Sequence, residues 1–105
     1  MAHPNSRIQF PDGAGATEHQ LVILPAGTDA NVPAELLAAL VNQFVPNAGA
    51  ADEDLRLGDY SVPAGLVAGD YVVQVRTSLP ATSAFSPPVA ITYTVVGVPG
   101  PVTVV

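Results

Sequence analysis

The sequence contains no cysteine, no tryptophan and, among its basic residues, no lysine. Without cysteine the chain has no disulfide, no thiol nucleophile and no thiolate ligand for a metal. The missing lysine removes a further common nucleophile and base. A chain without cysteine is compatible with the cytoplasm, a virion or secretion, so these absences exclude chemistry and assign no compartment.

Charge is also scarce, since charged residues make up 11% of the chain, against about a quarter in typical soluble domains. The basic residues are Arg7, Arg56 and Arg76, which are scattered, and the acids bring the net charge to -6. Binding to phosphates requires clustered positive charge. We therefore expect no nucleic-acid partner and no anionic membrane partner.

Apolar residues are abundant, at 49% of the 105 residues. With so few charges to cover the surface, part of this excess is expected to contact other protein. Alternatively, the 11 prolines and many alanines inflate the apolar count while the loops stay neutral and hydrated. The apolar runs fall short of the roughly 20 residues of a membrane helix, and Met1 to Arg7 lack the apolar core of a signal peptide.

Two runs in the second half alternate with a period of two. Tyr71, Val73 and Val75 alternate with polar and apolar neighbours, and the same pattern recurs from Val89 to Val96. This period, with β-branched and aromatic residues, predicts strands. The connection of residues 78–87 is rich in proline and serine, so we expect the two strands to pair antiparallel.

The stretch from Tyr60 to Val96 resembles the last three strands of a fibronectin type III or immunoglobulin-like domain. The matching segments are Tyr60-Ser61-Val62, Leu66 to Tyr71, Val73 to Arg76 and Ser83 to Ile91. The resemblance implies structural roles for Leu66, Gly69 and Tyr71, with the Tyr71 hydroxyl tying a corner of the sandwich back to the backbone. It covers about a third of the chain and implies no particular function, because this fold hosts many.

The first half predicts strands at Arg7 to Phe10 and at Gln20 to Leu24, with a turn at Pro11-Asp12-Gly13. Five apolar residues at helical spacing predict a helix from about 32 to 44, capped by Asn31 and ended by Pro46; they are Leu36, Leu37, Leu40, Val41 and Phe44. The stripe is expected to pack on the sheet, with a partner-binding helix as the alternative.

The predicted fold is therefore mainly β: an immunoglobulin-like antiparallel β-sandwich with one short helix at about 32–44 inserted in the first half. Residues 1–105 form a single domain with extended terminal segments. The strand pattern after the acidic loop resumes at Leu55 and continues through Tyr60-Ser61-Val62.

Candidate chemistry is sparse. Asp52, Glu53 and Asp54 form an acidic run that, with Asp59 or Asp70, could hold calcium. The run lacks the ligand alternation and glycine of an EF-hand loop, and solvated loop charge is the favoured interpretation. The histidines are His3 and His19. No Gly-x-Ser-x-Gly motif surrounds any serine, so the sequence does not indicate a catalytic triad. We therefore expect no metal, no cofactor and no enzyme activity.

Two features suggest partner contacts. Phe85 lies in the predicted loop between the paired strands, where it could anchor a partner or fold back to cap the core. The end of the chain includes Val102, Val104 and Val105. Its Val-Thr-Val-Val sequence predicts an uncovered edge strand. It could pair within the domain or extend to a neighbouring copy.

The chain resembles the small sandwich proteins of bacteriophage virions. That resemblance implies a non-enzymatic structural protein, in first place a capsid decoration or cement protein located in the virion. Its partners would be a major capsid or other virion protein and copies of itself. The alternatives are a tail component, a carbohydrate- or cell-surface-binding accessory domain, and a calcium-stabilised adhesion domain; they leave an extracellular or cytoplasmic location open.

Overall fold

The computed structural model describes residues 1–47, 52–95 and 100–105. These residues form six strands and two short helices in two antiparallel sheets, a mainly β architecture consistent with a β-sandwich. In chain order the elements are β1 (Arg7–Pro11), β2 (Glu18–Pro25), α1 (Pro33–Leu36), β3 (Val41–Pro46), β4 (Asp52–Arg56), α2 (Gly58–Ser61), β5 (Gly69–Leu79) and β6 (Val89–Tyr93).

The smaller sheet pairs β1 with β4, and the larger sheet has the order β3-β2-β5-β6. Every strand pair is antiparallel. In the larger sheet Ile23 of β2 stands opposite Val41 of β3 on one side and Val73 of β5 on the other. The register between β2 and β5 shifts at Glu18 and His19, where the pairing is irregular.

The predicted pair of late strands is confirmed. β5 pairs antiparallel with β6, with Tyr71 opposite Ile91 and Val73 opposite Val89. Beyond this ladder two serines continue the pairing of β5, because the backbone and hydroxyl of Ser86 both bond to Val75 and those of Ser83 both bond to Thr77. The last residue of the predicted strand, Val96, lies outside the described residues.

One apolar core joins the smaller sheet and α2 to the larger sheet. Its buried members are Ile23, Val41, Leu57, Leu66, Tyr71 and Tyr93. The two tyrosine rings meet edge to face, with centroids 6.5 Å apart. Both hydroxyls are satisfied: Tyr71 donates to the carbonyl of Val67 at 2.7 Å, and Tyr93 bonds to Ser61 Oγ at 2.9 Å.

A second core covers the other face of the larger sheet. Its buried members are Val22, Leu24, Ala30, Val72 and Phe85, with Leu36 and Ala39 packed against them. Because successive strand residues face opposite ways, Val22 and Ile23 belong to different cores. Strand β2 is consequently buried on both faces, and Leu21 through Leu24 have 0% exposure.

Gln74 of β5 ties two connecting segments onto this second face. Its side chain is 1% exposed. Its Oε1 accepts from the Ala30 amide at 2.8 Å, while its Nε2 donates to Asp29 Oδ1 and to the Ser86 carbonyl, each at 2.9 Å. One side chain therefore fixes the segment after β2 and the segment after β5 to the same strand.

The predicted helix at 32–44 is wrong beyond its first turn. Only Pro33–Leu36 is helical, and Val41–Pro46 is β3. Val41 and Phe44, three residues apart, would share a face in a helix but not in a strand. Pairing with β2 decides for the strand, in which Val41 is buried and Phe44 is exposed. The predicted cap is wrong too, because Asn31 instead exchanges two hydrogen bonds with the backbone of Phe85.

The predicted strand at Tyr60-Ser61-Val62 is also wrong, since Gly58–Ser61 is helix α2. Helical geometry buries Ser61 where it meets the Tyr93 hydroxyl, and it turns Val62 outward, with 60% exposure. The short helix thus links the end of β4 to the approach of β5 across the first core.

Gln74→Leu should lower the free energy of unfolding by about 2–4 kcal/mol, because a leucine of similar size leaves the Ala30 amide and the Ser86 carbonyl without their buried partner. Urea denaturation followed by circular dichroism measures this. Gln43→Leu, at an exposed position of β3, is the matched control and should change stability by less than about 0.5 kcal/mol. Equal losses in both variants would contradict the role given to Gln74.

Because of Asp29, we expect the free energy of unfolding to decrease at acidic pH. Hydrogen bonds from the Gln74 side chain and from the Asn31 amide hold the pKa of the Asp29 carboxyl below its ordinary value of 3.8. A lowered pKa in the folded state means that the stabilisation is present above the ordinary value and is lost as pH falls through the folded value. Asp29→Asn should therefore be less stable than the parent at neutral pH, with a difference that shrinks as the pH drops below about 4.

Urea midpoints across a pH series test this expectation. In the Gln74→Leu background the largest cause of the shift is absent, so Asp29→Asn should alter the acid slope less there. An identical effect of Asp29→Asn in both backgrounds would show that Gln74 does not set the titration of Asp29.

Candidate functional site

The acidic run does not form the site that its sequence suggests. Asp52, Glu53 and Asp54 lie in strand β4 rather than in a solvated loop. Alternation along the strand exposes Asp52 and Asp54 and buries Glu53, which is 8% exposed. The three carboxylates therefore point to opposite faces.

The other acids named with this run have separate partners. Arg7 Nε lies 2.9 Å from Asp54 Oδ1, and its hydrogen bond lowers the pKa of Asp54. Arg56 Nη1 lies 2.9 Å from Asp59 Oδ1. Asp70 Oδ1 accepts a hydrogen bond from the Thr92 hydroxyl at 2.9 Å. The calcium arrangement considered from the sequence is thus not assembled in the described residues.

Glu53 instead meets two residues from elsewhere in the chain. One side-chain ligand atom each of Asp12, His19 and Glu53 lies within 4.8 Å of the others. Asp12 directly follows β1, His19 is the second residue of β2, and Glu53 is the second residue of β4. We call these three residues the Asp12–His19–Glu53 cluster; it lies where the smaller sheet meets the irregular start of β2.

The imidazole of His19 is 2% exposed and closely held. Its Nε2 accepts a hydrogen bond from the Gly13 amide at 3.1 Å and lies 3.7 Å from Asp12 Oδ1. The Phe10 ring meets the imidazole edge to face at 5.2 Å between centroids. Because a neutral imidazole accepts through only one nitrogen, this bond puts the ring proton on Nδ1.

Three buried polar atoms of the described residues have no hydrogen-bond partner, and all three belong to the cluster: Asp12 Oδ1, His19 Nδ1 and Glu53 Oε1. A buried polar group without a partner costs about 1–3 kcal/mol, and more when it is charged. One such atom therefore belongs to each of three side chains that converge, with a ligand atom of each within 4.8 Å of the others. The convergence makes this cluster the candidate functional site of the molecule.

Asn47 fixes the orientation of the Asp12 carboxylate. Its side-chain amide donates to Asp12 Oδ2 at 2.6 Å and to the Ala16 carbonyl at 2.8 Å, while its backbone amide bonds to Thr17. One carboxylate oxygen is therefore committed to the protein. The other, Oδ1, is left facing His19.

Two surface grooves reach the cluster from different sides. A groove of about 280 Å³ is lined by Glu53 together with Phe10 and Pro11. A second groove, of about 220 Å³, is lined by His19 and Gly13 and shares Phe10 and Pro11. The cluster is thus buried but close to solvent, and Asp12, whose side chain is 21% exposed, is its most open member.

The Glu53 carboxylate affects the neighbouring hydroxyl of Tyr60. Burial raises the pKa of the Tyr60 hydroxyl, and the carboxylates of Asp59 and Glu53 raise it further. Tyr60 packs at the margin of the first core. The site therefore combines two carboxyl groups and one imidazole in a partly apolar setting.

The sequence did not reveal this cluster. Asp12 reads as a turn residue and His19 as a loop residue, and Glu53 reads as one of three equivalent acids. Only the pairing of β1 with β4, which places Phe10 opposite Glu53, and the position of β2 bring the three together. The one local signal was the position of His19 beside the apolar run of β2.

The predicted contact residues occupy two different environments. Phe85 is 6% exposed and belongs to the second core, with the Arg76 guanidinium 4.4 Å from its ring centroid. It is folded back on the sheet, the alternative considered for it. Val102, Val104 and Val105 are 89%, 89% and 118% exposed, and residues 100–105 belong to no strand.

A further apolar group lies between α1 and the middle of β3. Leu37, Leu40 and Phe44 are 88%, 50% and 57% exposed. The sequence marked all three as part of a helical stripe expected to pack on the sheet, and that expectation is wrong for these side chains. The strand geometry of β3 turns Phe44 away from the first core, while Val41 and Val45 are buried.

Comparison of the chain with protein-family models, curated proteins and solved structures finds no match. Within the described residues, neither helix has the length and apolar character needed to cross a membrane.

Gly13 has no space for a side chain where its backbone passes Thr77. A Cβ at this position would clash with Thr77 Oγ1 and would lie 3.6 Å from His19 Nε2. Gly13→Ala should therefore lower the free energy of unfolding by about 1–3 kcal/mol. Thermal and urea denaturation measure the loss.

A double-mutant cycle identifies the cause. Thr77→Ala removes the hydroxyl that the new methyl group meets, so it should recover part of the loss in the double variant, with a coupling of about 0.5–3 kcal/mol. Strict additivity of the two substitutions would show that the destabilisation does not come from this contact.

Proposed function

We propose that this chain is a non-enzymatic structural protein of a large protein assembly, and in its most concrete form a bacteriophage capsid decoration protein. The observation that carries the proposal is the uncharged edge strand β3, which exposes Phe44. In the described part of the chain, β3 pairs on one side only, with β2. Its other side presents backbone donors and acceptors to a partner.

Edge strands of free monomers are usually blunted by charges, prolines or bulges. No charged residue occurs from Leu36 to Ala51, and the one proline of β3, Pro46, stands at its end. Phe44 is 57% exposed in the middle of this strand. Such an edge favours addition of a strand or an apolar surface from another chain.

Leu37 and Leu40 extend the apolar surface along the segment that leads into β3. An interface of this kind is stabilised by burial of apolar surface and by main-chain hydrogen bonds, and it requires no catalysed reaction. The net charge of -6 and the scattered arginines favour protein partners over nucleic acid. We infer that the partner is a shell protein or a second copy of this chain.

The exposed terminal valines support the same function. Val102, Val104 and Val105 have no strand partner in the described residues, and an extended apolar segment of this kind is suited to lie on a neighbouring subunit. The opposite end is held, since Ala2 forms a parallel bridge to Tyr93. In this proposal the segment with Val102, Val104 and Val105 extends from the domain and contacts a neighbouring subunit.

We also propose that the sandwich is immunoglobulin-like. In that topology a sheet of strands C′, C, F and G packs on one that contains B and E. The order β3-β2-β5-β6 and the pair β1-β4 fit these two sets in sequence order. The Tyr71 hydroxyl, bonded to the Val67 carbonyl at the approach to β5, fits the tyrosine corner of such domains.

Sedimentation of the native source lysate, with mass spectrometry of each fraction, tests the assembly. We expect the 10.7 kDa chain to run with megadalton particles in a fixed ratio to a larger shell protein. A fixed ratio to a tail protein would place it in the tail instead. Recovery only as a monomer or small oligomer would overturn the proposal.

Phe44→Lys tests the edge strand directly. The charge should reduce the fraction that co-sediments with particles by roughly tenfold or more, as expected for a central apolar contact, with little change in melting temperature because the position is exposed. Val62→Lys, at 60% exposure on α2's end, is the matched control and should leave co-sedimentation unchanged. Equal retention of both variants would exclude this edge as the interface.

A further inference from the structure

We propose that Asp12, His19 and Glu53 form a binding site for a divalent transition-metal ion of the zinc class. This site is separate from the assembly surface and goes beyond the proposed function. Two observations carry it: the convergence of three ligand-type side chains within 4.8 Å, and the buried unpartnered atom that each of them holds.

The distances suit one ion after a small adjustment. Zinc lies about 2.0–2.2 Å from imidazole nitrogen and carboxylate oxygen, so two of its ligand atoms are at most about 4 Å apart. His19 Nε2 and Asp12 Oδ1 already meet this limit at 3.7 Å. Side-chain rotations that move the ligand atoms by less than about 1 Å bring the 4.8 Å cluster to the same range.

The donor set selects the metal class. An imidazole favours zinc and neighbouring transition metals, whereas calcium and magnesium prefer all-oxygen ligands. Two carboxylates balance the charge of a divalent ion, which lowers the cost of holding charge in a buried site. Zinc sites with three protein ligands hold a water molecule at the fourth position, and Glu53 borders a solvent-accessible groove.

Metal binding gives a partner to each of the two unpartnered oxygens. An ion accepts lone pairs from Asp12 Oδ1 and Glu53 Oε1, the two oxygens without partners. His19 offers its lone pair through Nε2, which now accepts from the Gly13 amide, or through Nδ1 after the ring proton moves. In either case the hydrogen bond of the Gly13 amide changes.

The site joins three separate stretches of chain. It links the ends of β1 and β4 in the smaller sheet to the start of β2 in the larger sheet. A metal ion held by all three therefore stabilises the folded state relative to the unfolded chain, where the ligands are far apart. The consequence is a metal-dependent melting temperature.

The test uses the full chain, freed of metal by a chelator, with Zn²⁺ as the probe in calorimetric titration and thermal denaturation. We expect one ion per chain, a rise in melting temperature of several degrees that chelation reverses, and a shift of the Gly13 amide resonance. Glu53→Gln keeps the shape of the side chain and should weaken binding by tenfold or more. His19→Gln should do the same if it folds, and Glu53→Gln decides the matter if it does not.

Two control variants separate this site from others. Asp52→Asn changes the exposed neighbour on the same strand, and His3→Gln removes the other histidine; both should bind as the parent does. No thermal shift with Zn²⁺, equal binding by Glu53→Gln, or loss of binding only in His3→Gln would each overturn the proposal. The measurements use the isolated chain, so their result is independent of particle association.

Discussion

Strand β2 is the element on which the rest of the structure depends. Leu21 to Leu24 have no exposed surface. Val22 and Leu24 belong to one apolar core, and Ile23 belongs to the other. Each fully buried aliphatic side chain contributes on the order of 1.5–3 kcal/mol. β3 and β5 pair with β2 on its two edges, and both connecting segments fold over one of its faces. A central strand buried in this way requires covering layers on both sides.

The polar groups of the second face show how those layers are held. Gln74 bonds to both covering segments, and Asn31 exchanges two hydrogen bonds with the Phe85 backbone. Buried polar groups in this region therefore have partners, as stability requires. Asp12, His19 and Glu53 differ, because each of these three neighbouring side chains has one buried atom without a hydrogen-bond partner.

The low charge of the chain has its main consequence at the sheet edge. Charged side chains on edge strands keep free proteins from pairing with each other, and the stretch around β3 carries none. The exposed Phe44 and the terminal valines add apolar surface with no internal partner in the described residues. An assembly role and a metal-linked pair of sheets are compatible, since the proposed ion stabilises the domain from within and the edge faces outward.

The sequence alone encodes β5 and β6 through their alternation of β-branched and aromatic residues with a period of two, and β2 through a short run of branched apolar residues, because both patterns are local properties. The mainly β class follows from the same local patterns. The tertiary structure sets the choice between helix and strand at Val41 to Pro46, because local helical spacing does not encode the pairing with β2 that makes this segment a strand. It likewise turned Phe85 inward and brought Glu53 to Asp12 and His19, since register between distant strands is set by long-range packing that no local pattern encodes.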